Sequence, residues 1–244
     1  MALKFSKTSD AEHERLTVLV YGEAGIGKTS LVKTLPIKSD ERVLYVAADP
    51  GQLVLRDREF VCVSWDDEDA QRPLSEILEH ARGTDYDWIV VDGIDEACQM
   101  VLDRLKAAHK DGRKAYGETR DLFGRWLKAM RDLPGRNVLF LTHMASMQDD
   151  AGATSYSPSM PSAGTRDMLP PMFDLVGCMR AVRNADGKVQ RMLQFRAEGG
   201  TAYLCKDRSG ALEDFEAPDL GAVFEKIHGA VSANTKAAKK ASKE

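Results

Sequence analysis

The sequence is short of the features that would take it out of the class of ordinary folded domains. It has four cysteines, Cys62, Cys98, Cys178 and Cys205, far apart and with no C-x-x-C pair. That spacing argues against a paired-thiolate metal site and supplies no disulfide framework, so the four are expected as reduced, mostly buried thiols. No run of about 18 apolar residues occurs, which excludes a membrane-spanning helix of the usual kind and predicts no membrane partner. The opening stretch MALKFSKTSDAEHERL lacks the apolar segment of a secretory leader, and a cytoplasmic location is the expectation. Neither sign of charge is in large excess, with 34 Lys and Arg against 38 Asp and Glu. Such a balance neither demands nor forbids nucleic acid, because a basic patch can sit on an acidic protein. No internal repeat is visible.

What is present fits one sizeable α/β core. The chain has 244 residues, 43% hydrophobic and 30% charged, enough to bury a single large core. Continuous apolar runs read as buried strands: RLTVLVYG, ERVLYVAADPG, REFVCVS, YDWIVVDGIDE and GRNVLFLTHM. Between them lie helical segments. One runs from Lys28 to about Leu35 and is stopped by Pro36, and one lies within DDEDAQRPLSEILEHARG. Two more fill residues 95–132, with a break near Gly112. Apolar strands alternating with helices predict a mostly parallel central sheet covered by helices on both faces. After about residue 145 the composition changes. The stretch ASMQDDAGATSYSPSMPSAGTRDMLPP is too long and irregular for a connector and is expected to be functional or disordered. FDLVGCMRAV and KVQRMLQFRA then read as a hairpin about Asn184–Gly187, TAYLCKDR as a further strand, and residues 217–229 as a short helix. The expected organisation is a loose arm over residues 1–14, one domain over 15–230, and a basic low-complexity tail over 231–244. The tail carries Lys236, Lys239, Lys240 and Lys243, and is either a solvated end or an arm for nucleic acid phosphates.

The chemistry is announced by YGEAGIGKTS, residues 21–30, which fits G-x-x-x-x-G-K-[ST]. Such a loop between a strand and a helix turns backbone N–H groups inward on a phosphate chain, so Gly22, Glu23, Ala24, Gly25, Ile26, Gly27, Lys28, Thr29 and Ser30 are the expected nucleotide-binding residues. Lys28 would reach the β and γ phosphates, and the Thr29 hydroxyl would ligate Mg²⁺. The partner motif, an apolar strand ending in an acid, is WIVVDG, which makes Asp92 the second metal-site residue. Hydrolysis needs a carboxylate to orient water, and Asp49, Glu96 and Asp95 all follow strands. Asp49 leads because it ends a strand at the edge where open α/β sheets place ligands. Thr142 and His143 end another strand at that edge, where one of them would contact the γ-phosphate and report its loss.

This order of motifs resembles the RecA-like P-loop ATPases, and among them the phage-encoded AAA-type ATPases that are small relatives of RecA and of replicative helicase cores. The resemblance spans about residues 15–215 and includes KDRSG near the end. It implies an Mg–ATP hydrolase acting on single-stranded DNA in phage recombination or replication, inside an infected or lysogenic bacterial host. It also implies a homo-oligomeric ring or filament, with a single-strand-binding protein as a possible partner. Lys206 and Arg208 take the place of a Lys-x-Arg pair that reaches a neighbouring subunit's nucleotide. The stretch 146–168 takes the place of a DNA-lining loop, but holds one basic residue, Arg166, beside Asp149, Asp150 and Asp167; Tyr156 could stack on a base. Asp49 stands where many relatives carry Glu. His109, Lys110, Arg113, Lys114, Tyr116 and Arg120 form either a phosphate-tracking surface or a solvated interhelix turn. A switch GTPase does not fit, since there is no N-K-x-D motif and DGID is not D-x-x-G. The alternatives are a binding and annealing module without appreciable turnover, and a small-molecule kinase, which would ordinarily bring an Arg-rich lid.

Overall fold

The computed structural model describes residues 15–65, 72–109, 111–184, 186–196 and 202–241, with side chains as far as residue 230. The expected arm over 1–14 lies outside them. In chain order the elements are β1 (Thr17–Gly22), α1 (Lys28–Leu31), β2 (Val43–Ala47), β3 (Val61–Ser64), α2 (Arg72–Gly83), β4 (Trp88–Asp92), α3 (Ile94–Ala108) and α4 (Gly112–Arg131). They continue as β5 (Asn137–Gln148), β6 (Thr154–Pro158), α5 (Ala163–Asp167), α6 (Leu169–Met172), β7 (Leu175–Arg183), β8 (Val189–Gln194), β9 (Lys206–Asp207), β10 (Phe215–Glu216) and α7 (Leu220–Ala241). The strands form one sheet in the order β10-β8-β7-β1-β5-β4-β2-β3. From β7 to β3 every neighbouring pair is parallel, while β8, β9 and β10 add antiparallel pairs. The expected class is therefore observed: a mostly parallel α/β sheet with a C-terminal antiparallel extension.

Strand alternation supplies two apolar layers. On one face Ile89 and Val91 of β4 join Leu102, Phe123 and Trp126 of α3 and α4. On the other face Trp88 and Val90 of the same strand join Leu31 of α1 and Phe224 of α7. Because β1, β2, β4 and the first half of β5 are buried on both faces, their sequences read as unbroken apolar runs rather than alternating ones. The topology has one consequence for the site. β5 lies between β1 and β4, so the end of β5 falls between the phosphate loop and Asp92.

Three sequence expectations change. Residues 146–168 do not form an irregular loop. β5 runs on past the sheet and pairs antiparallel with β6, from Met144 opposite Pro158 to Gln148 opposite Thr154, and α5 follows behind a Ser162 capping box. The side chains of this ribbon are mostly exposed, so no apolar periodicity marks its strands in the sequence. Asp149 closes its turn by accepting from the N–H groups of Ala151 and Ala153. Within TAYLCKDR, the described residues form only the two-residue strand β9 and a bridge from Tyr203 to Tyr156. The helix expected over 217–229 extends to Ala241, as the alanine- and lysine-rich sequence there favours. The hairpin about Asn184 and Gly187 is present, with Gly187 N–H donating to the Asn184 carbonyl at 2.9 Å.

Candidate functional site

The C-terminal ends of β1, β2, β4 and β5 converge on one edge of the sheet. β1 delivers Gly22 into the loop, and the loop turns through Gly25 at φ 73° and Gly27 at φ 109° before α1 begins at Lys28. These left-handed angles cost glycine little, and they aim the loop amides inward. Lys28 is buried, and its ammonium donates to the carbonyls of Gly22 and Glu23 at 3.1 and 3.0 Å. Burial pushes its pKa down, while Asp92, Asp95 and Asp49 pull it back up. The loop thus holds its cation beside a concentration of acids.

Asp92 ends β4 almost fully buried, and both Thr29 Oγ1 and Tyr45 OH donate to its Oδ2, each at 2.7 Å. The two motif residues that sequence analysis pairs around a metal are therefore in direct contact. Burial raises the pKa of the Asp92 carboxyl, and the Thr29 and Tyr45 hydrogen bonds act the other way. A hard cation supplied with a nucleotide would relieve that unfavourable burial, so the donor set of one hydroxyl and one carboxylate fits Mg²⁺. Sequence reasoning did not single out Tyr45. The signal was a tyrosine in the otherwise aliphatic strand VLYVA, whose hydroxyl needs a partner if buried.

Asp49 follows β2 by two residues, beside β4. The N–H groups of Ala48 and Asp49 both donate to the Asp92 carbonyl, at 2.9 and 3.3 Å. Gly93 sits at φ 86°, and a Cβ there would come within 2.9 Å of Asp49 Cβ and 3.0 Å of Asp49 N, so this close approach requires glycine. His143 at the edge of the β1 pairing links two acids. Its Nδ1 is 2.9 Å from Asp95 Oδ2, and its Nε2 is 3.6 Å from Asp49 Oδ2. Nδ1 thus faces Asp95 and Nε2 faces Asp49, so the ring bridges the two carboxylates. Asp49 leads on sequence grounds, yet Asp95 is the acid bonded to His143, and its Oδ1 is buried without a hydrogen-bond partner among the described residues. The register of α3 explains this: Asp95 is in the first turn, turned inward, whereas Glu96 is exposed. Asp95, Glu96 and His143 each offer one donor atom, all within 4.8 Å of one another. A cation there would have to break the Asp95–His143 contact. Thr142 is buried and donates to the Ser159 carbonyl at 3.0 Å, and Ser159 N–H donates to the His143 carbonyl at 2.8 Å. The strand end is thereby fixed to the base of the ribbon.

The remaining expected site residues lie apart. Lys206 pairs across from Val176 and Asp207 from Leu175, at the start of β7, beside the start of β1. Five residue steps along β1, from Thr17 to Gly22, separate that edge from the phosphate loop of the same chain, about 16 Å at 3.3 Å per residue. Lys206 donates to the carbonyls of Pro170 and Phe173 at 2.8 and 2.6 Å. Arg208 reaches Asp174 Oδ1 at 2.9 Å and keeps 56% of its side chain exposed. Tyr156 stacks on Tyr203, with centroids 4.6 Å apart and planes at 12°, so one of its faces is already covered. Of the basic group near α4, Arg113, Lys114 and Arg120 are exposed, His109 contacts Glu118 at 2.6 Å, and Lys106 lies over the Tyr116 ring; Lys110 is outside the described residues. Beside the loop, a cavity of about 640 Å³ is lined by Lys33, Gly51, Leu53, Val54, Arg56 and Asp57. It touches the metal-site residues, because Gly51 lies against Thr29 Oγ1 and Asp49. No helix among the described residues is long and apolar enough to cross a membrane.

Comparison with known proteins agrees with this geometry. The family model for the AAA domain matches residues 14–209. No curated protein matches the sequence. The chain belongs to this AAA-domain family, and its P-loop NTPase fold is that of a nucleotide-binding ATPase.

Proposed function

We propose that this AAA-domain protein is a RecA-like Mg–ATP hydrolase that acts on single-stranded DNA as a homo-oligomer, in phage recombination or replication. The observation that carries the reading is the convergence of Lys28, the Thr29–Asp92 pair and the Asp49–His143–Asp95 chain on one sheet edge. The loop amides and Lys28 would hold the phosphates, and Thr29 and Asp92 would hold Mg²⁺, with Tyr45 orienting the Asp92 carboxylate. Bound Mg²⁺ would neutralise charge on the transferring phosphoryl group. Asp49 is the favoured water-orienting base over Glu96, because it lies against the metal-site residues and is within reach of His143 Nε2. His143, held by Asp95, is suited to contact the γ-phosphate and report its loss through the Thr142–Ser159 attachment to the ribbon.

Oligomer formation is supported by the position of Arg208. It lies too far from its own phosphate loop to help there, and is exposed enough to reach a second copy. Lys206, tied to two carbonyls, is the weaker half of the pair. The DNA reading rests on the family resemblance and on the exposed Arg113, Lys114 and Arg120 of α4. Arg120 packs against Gly164 of α5, on the side of the segment that follows β5. A kinase lid finds no support, since residues 146–168 fold as a ribbon and helix with one arginine, paired to Asp167 at 3.0 Å.

The test is ATP hydrolysis by the purified protein with and without single-stranded DNA, with Lys28→Ala as the blank. Turnover stimulated by DNA and absent in the variant is expected. Turnover indifferent to DNA would overturn the DNA assignment. DNA binding without turnover would make the protein an annealing module, and phosphate transfer to a small acceptor would make it a kinase.

A further inference from the structure

One cation beside the phosphate loop is absent from every motif in the sequence. Arg191 lies on β8, opposite Ala181 of β7, and β7 is parallel to β1 with Met179 opposite Gly22. Alternation along β8 puts Arg191 on the same face as Leu193, and Leu193 is fully buried in the layer that holds Leu31 and Val32 behind the loop. Arg191 therefore projects on the phosphate-loop side of the sheet, one turn of the pleat beyond the core. The contact is direct: a Cβ on Gly27 would lie 3.1 Å from Arg191 Nη1 and 3.7 Å from Cζ. The guanidinium thus rests against the backbone that the motif assigns to phosphate.

The other arginines nearby are occupied. Arg180 lies over the rings of Tyr203 and Phe215 at 4.4 and 5.0 Å. Arg183 donates to the Gly187 carbonyl at 3.0 Å, and Arg196 donates to the Leu212 carbonyl at 3.4 Å. Arg191 is exposed and makes no hydrogen bond or ion pair with any described residue. A guanidinium held over an anion cradle with its donors uncommitted is matched to phosphate oxygens, which it binds in bidentate, charge-assisted fashion.

We propose that Arg191 is a phosphate-binding residue of the same chain's nucleotide site, contacting the α and β phosphates. The assignment to these phosphates follows from its neighbour. Loop amides around Gly27 cradle the α and β phosphates, whereas Lys28 extends to the β and γ phosphates. Arg191 then holds ADP and ATP equally, keeps the product bound as well as the substrate, and does not sense the γ-phosphate. The proposal rests on the nucleotide reading of the site.

The experiment measures Mg²⁺-dependent binding of fluorescent ADP and of a slowly hydrolysed ATP analogue to the full chain. The proteins are the wild type, Arg191→Gln, Arg191→Lys, Lys28→Ala and, as a charge control on the same β7–β8 hairpin, Arg183→Gln. Arg191→Gln is expected to raise Kd about tenfold for both nucleotides, the low end for a hydrogen bond to a charged group because the site is exposed. Arg191→Lys should recover part of the loss, and Arg183→Gln should bind as the wild type does. An unchanged Kd for Arg191→Gln, while Lys28→Ala loses binding, overturns the proposal and leaves the nucleotide reading intact. A loss confined to the ATP analogue overturns the α and β assignment. Wild-type protein that binds neither nucleotide overturns both readings together.

Discussion

Tyr45→Phe is the most informative single change, because it removes one hydroxyl and almost no volume. Tyr45 is buried on β2, and its hydroxyl donates to Asp92 Oδ2 at 2.7 Å. That same oxygen also accepts from Thr29 Oγ1 at 2.7 Å. A Mg²⁺ ion bound between Thr29 and Asp92 would take the place of the Thr29 contact, leaving Tyr45 as the donor that still orients the carboxylate. Two effects should follow. Folding loses a buried hydrogen bond to a charged acceptor but keeps the ring packing, a cost of about 1–2 kcal/mol. For a domain of this size that corresponds to a fall in Tm of about 2–8 °C. Metal binding loses the support behind one ligand, which typically costs about 10–100-fold in affinity. The assay is thermal denaturation across a Mg²⁺ titration at fixed ATP concentration. The Mg²⁺ midpoint of the stabilisation should move at least about tenfold upward, while stabilisation by ATP without Mg²⁺ stays as in the wild type. A lower Tm with an unchanged Mg²⁺ midpoint would refute the reasoning, since it would make Tyr45 a packing residue only.

Other outcomes follow from the same geometry. Gly93→Ala should cost about 2–5 kcal/mol, from a left-handed alanine and the 2.9 Å clash with Asp49, and should be visible as a fall in Tm of about 4–20 °C; a change under 2 °C would contradict the close packing. Asp92→Asn should raise the Tm of the nucleotide-free protein at neutral pH. The folded carboxyl has a raised pKa, so its ionisation disfavours folding as pH rises above the unfolded value, and asparagine removes that penalty. The same variant should lose all Mg²⁺-dependent stabilisation by ATP. Arg208→Ala should slow turnover by about 10³-fold or more, and mixing it with Lys28→Ala should restore part of the rate, because each partner supplies what the other lacks; no recovery on mixing would argue against a site shared between copies. In native protein at pH 8 a thiol reagent should label exposed Cys62 first. Cys98, Cys178 and Cys205 should follow only on unfolding, since burial pushes their thiols up to about 12, 11 and 12.

The parts of the site that the sequence determined are those whose chemistry is local. Gly22 to Ser30 form a loop because their spacing and glycines permit only a few backbone paths, and Asp92 was legible because a strand buried on both faces must be apolar until it ends. The fold class followed from the same runs. Tertiary structure decided what depended on residues far apart in the chain. Asp95 and Glu96 are neighbours in sequence, and the turn of α3 alone sends one inward to His143 and the other to solvent. Tyr45 acquires a role from the pairing of β2 with β4, and Arg191 acquires one from the registers of β8 on β7 and β7 on β1. Lys206 and Arg208, which look like site residues in one dimension, are carried to the far end of β1 by the antiparallel direction of β9. Sequence spacing fixes local backbone geometry, but sheet register and helix rotation fix which side chains meet, and those are set by packing the whole core.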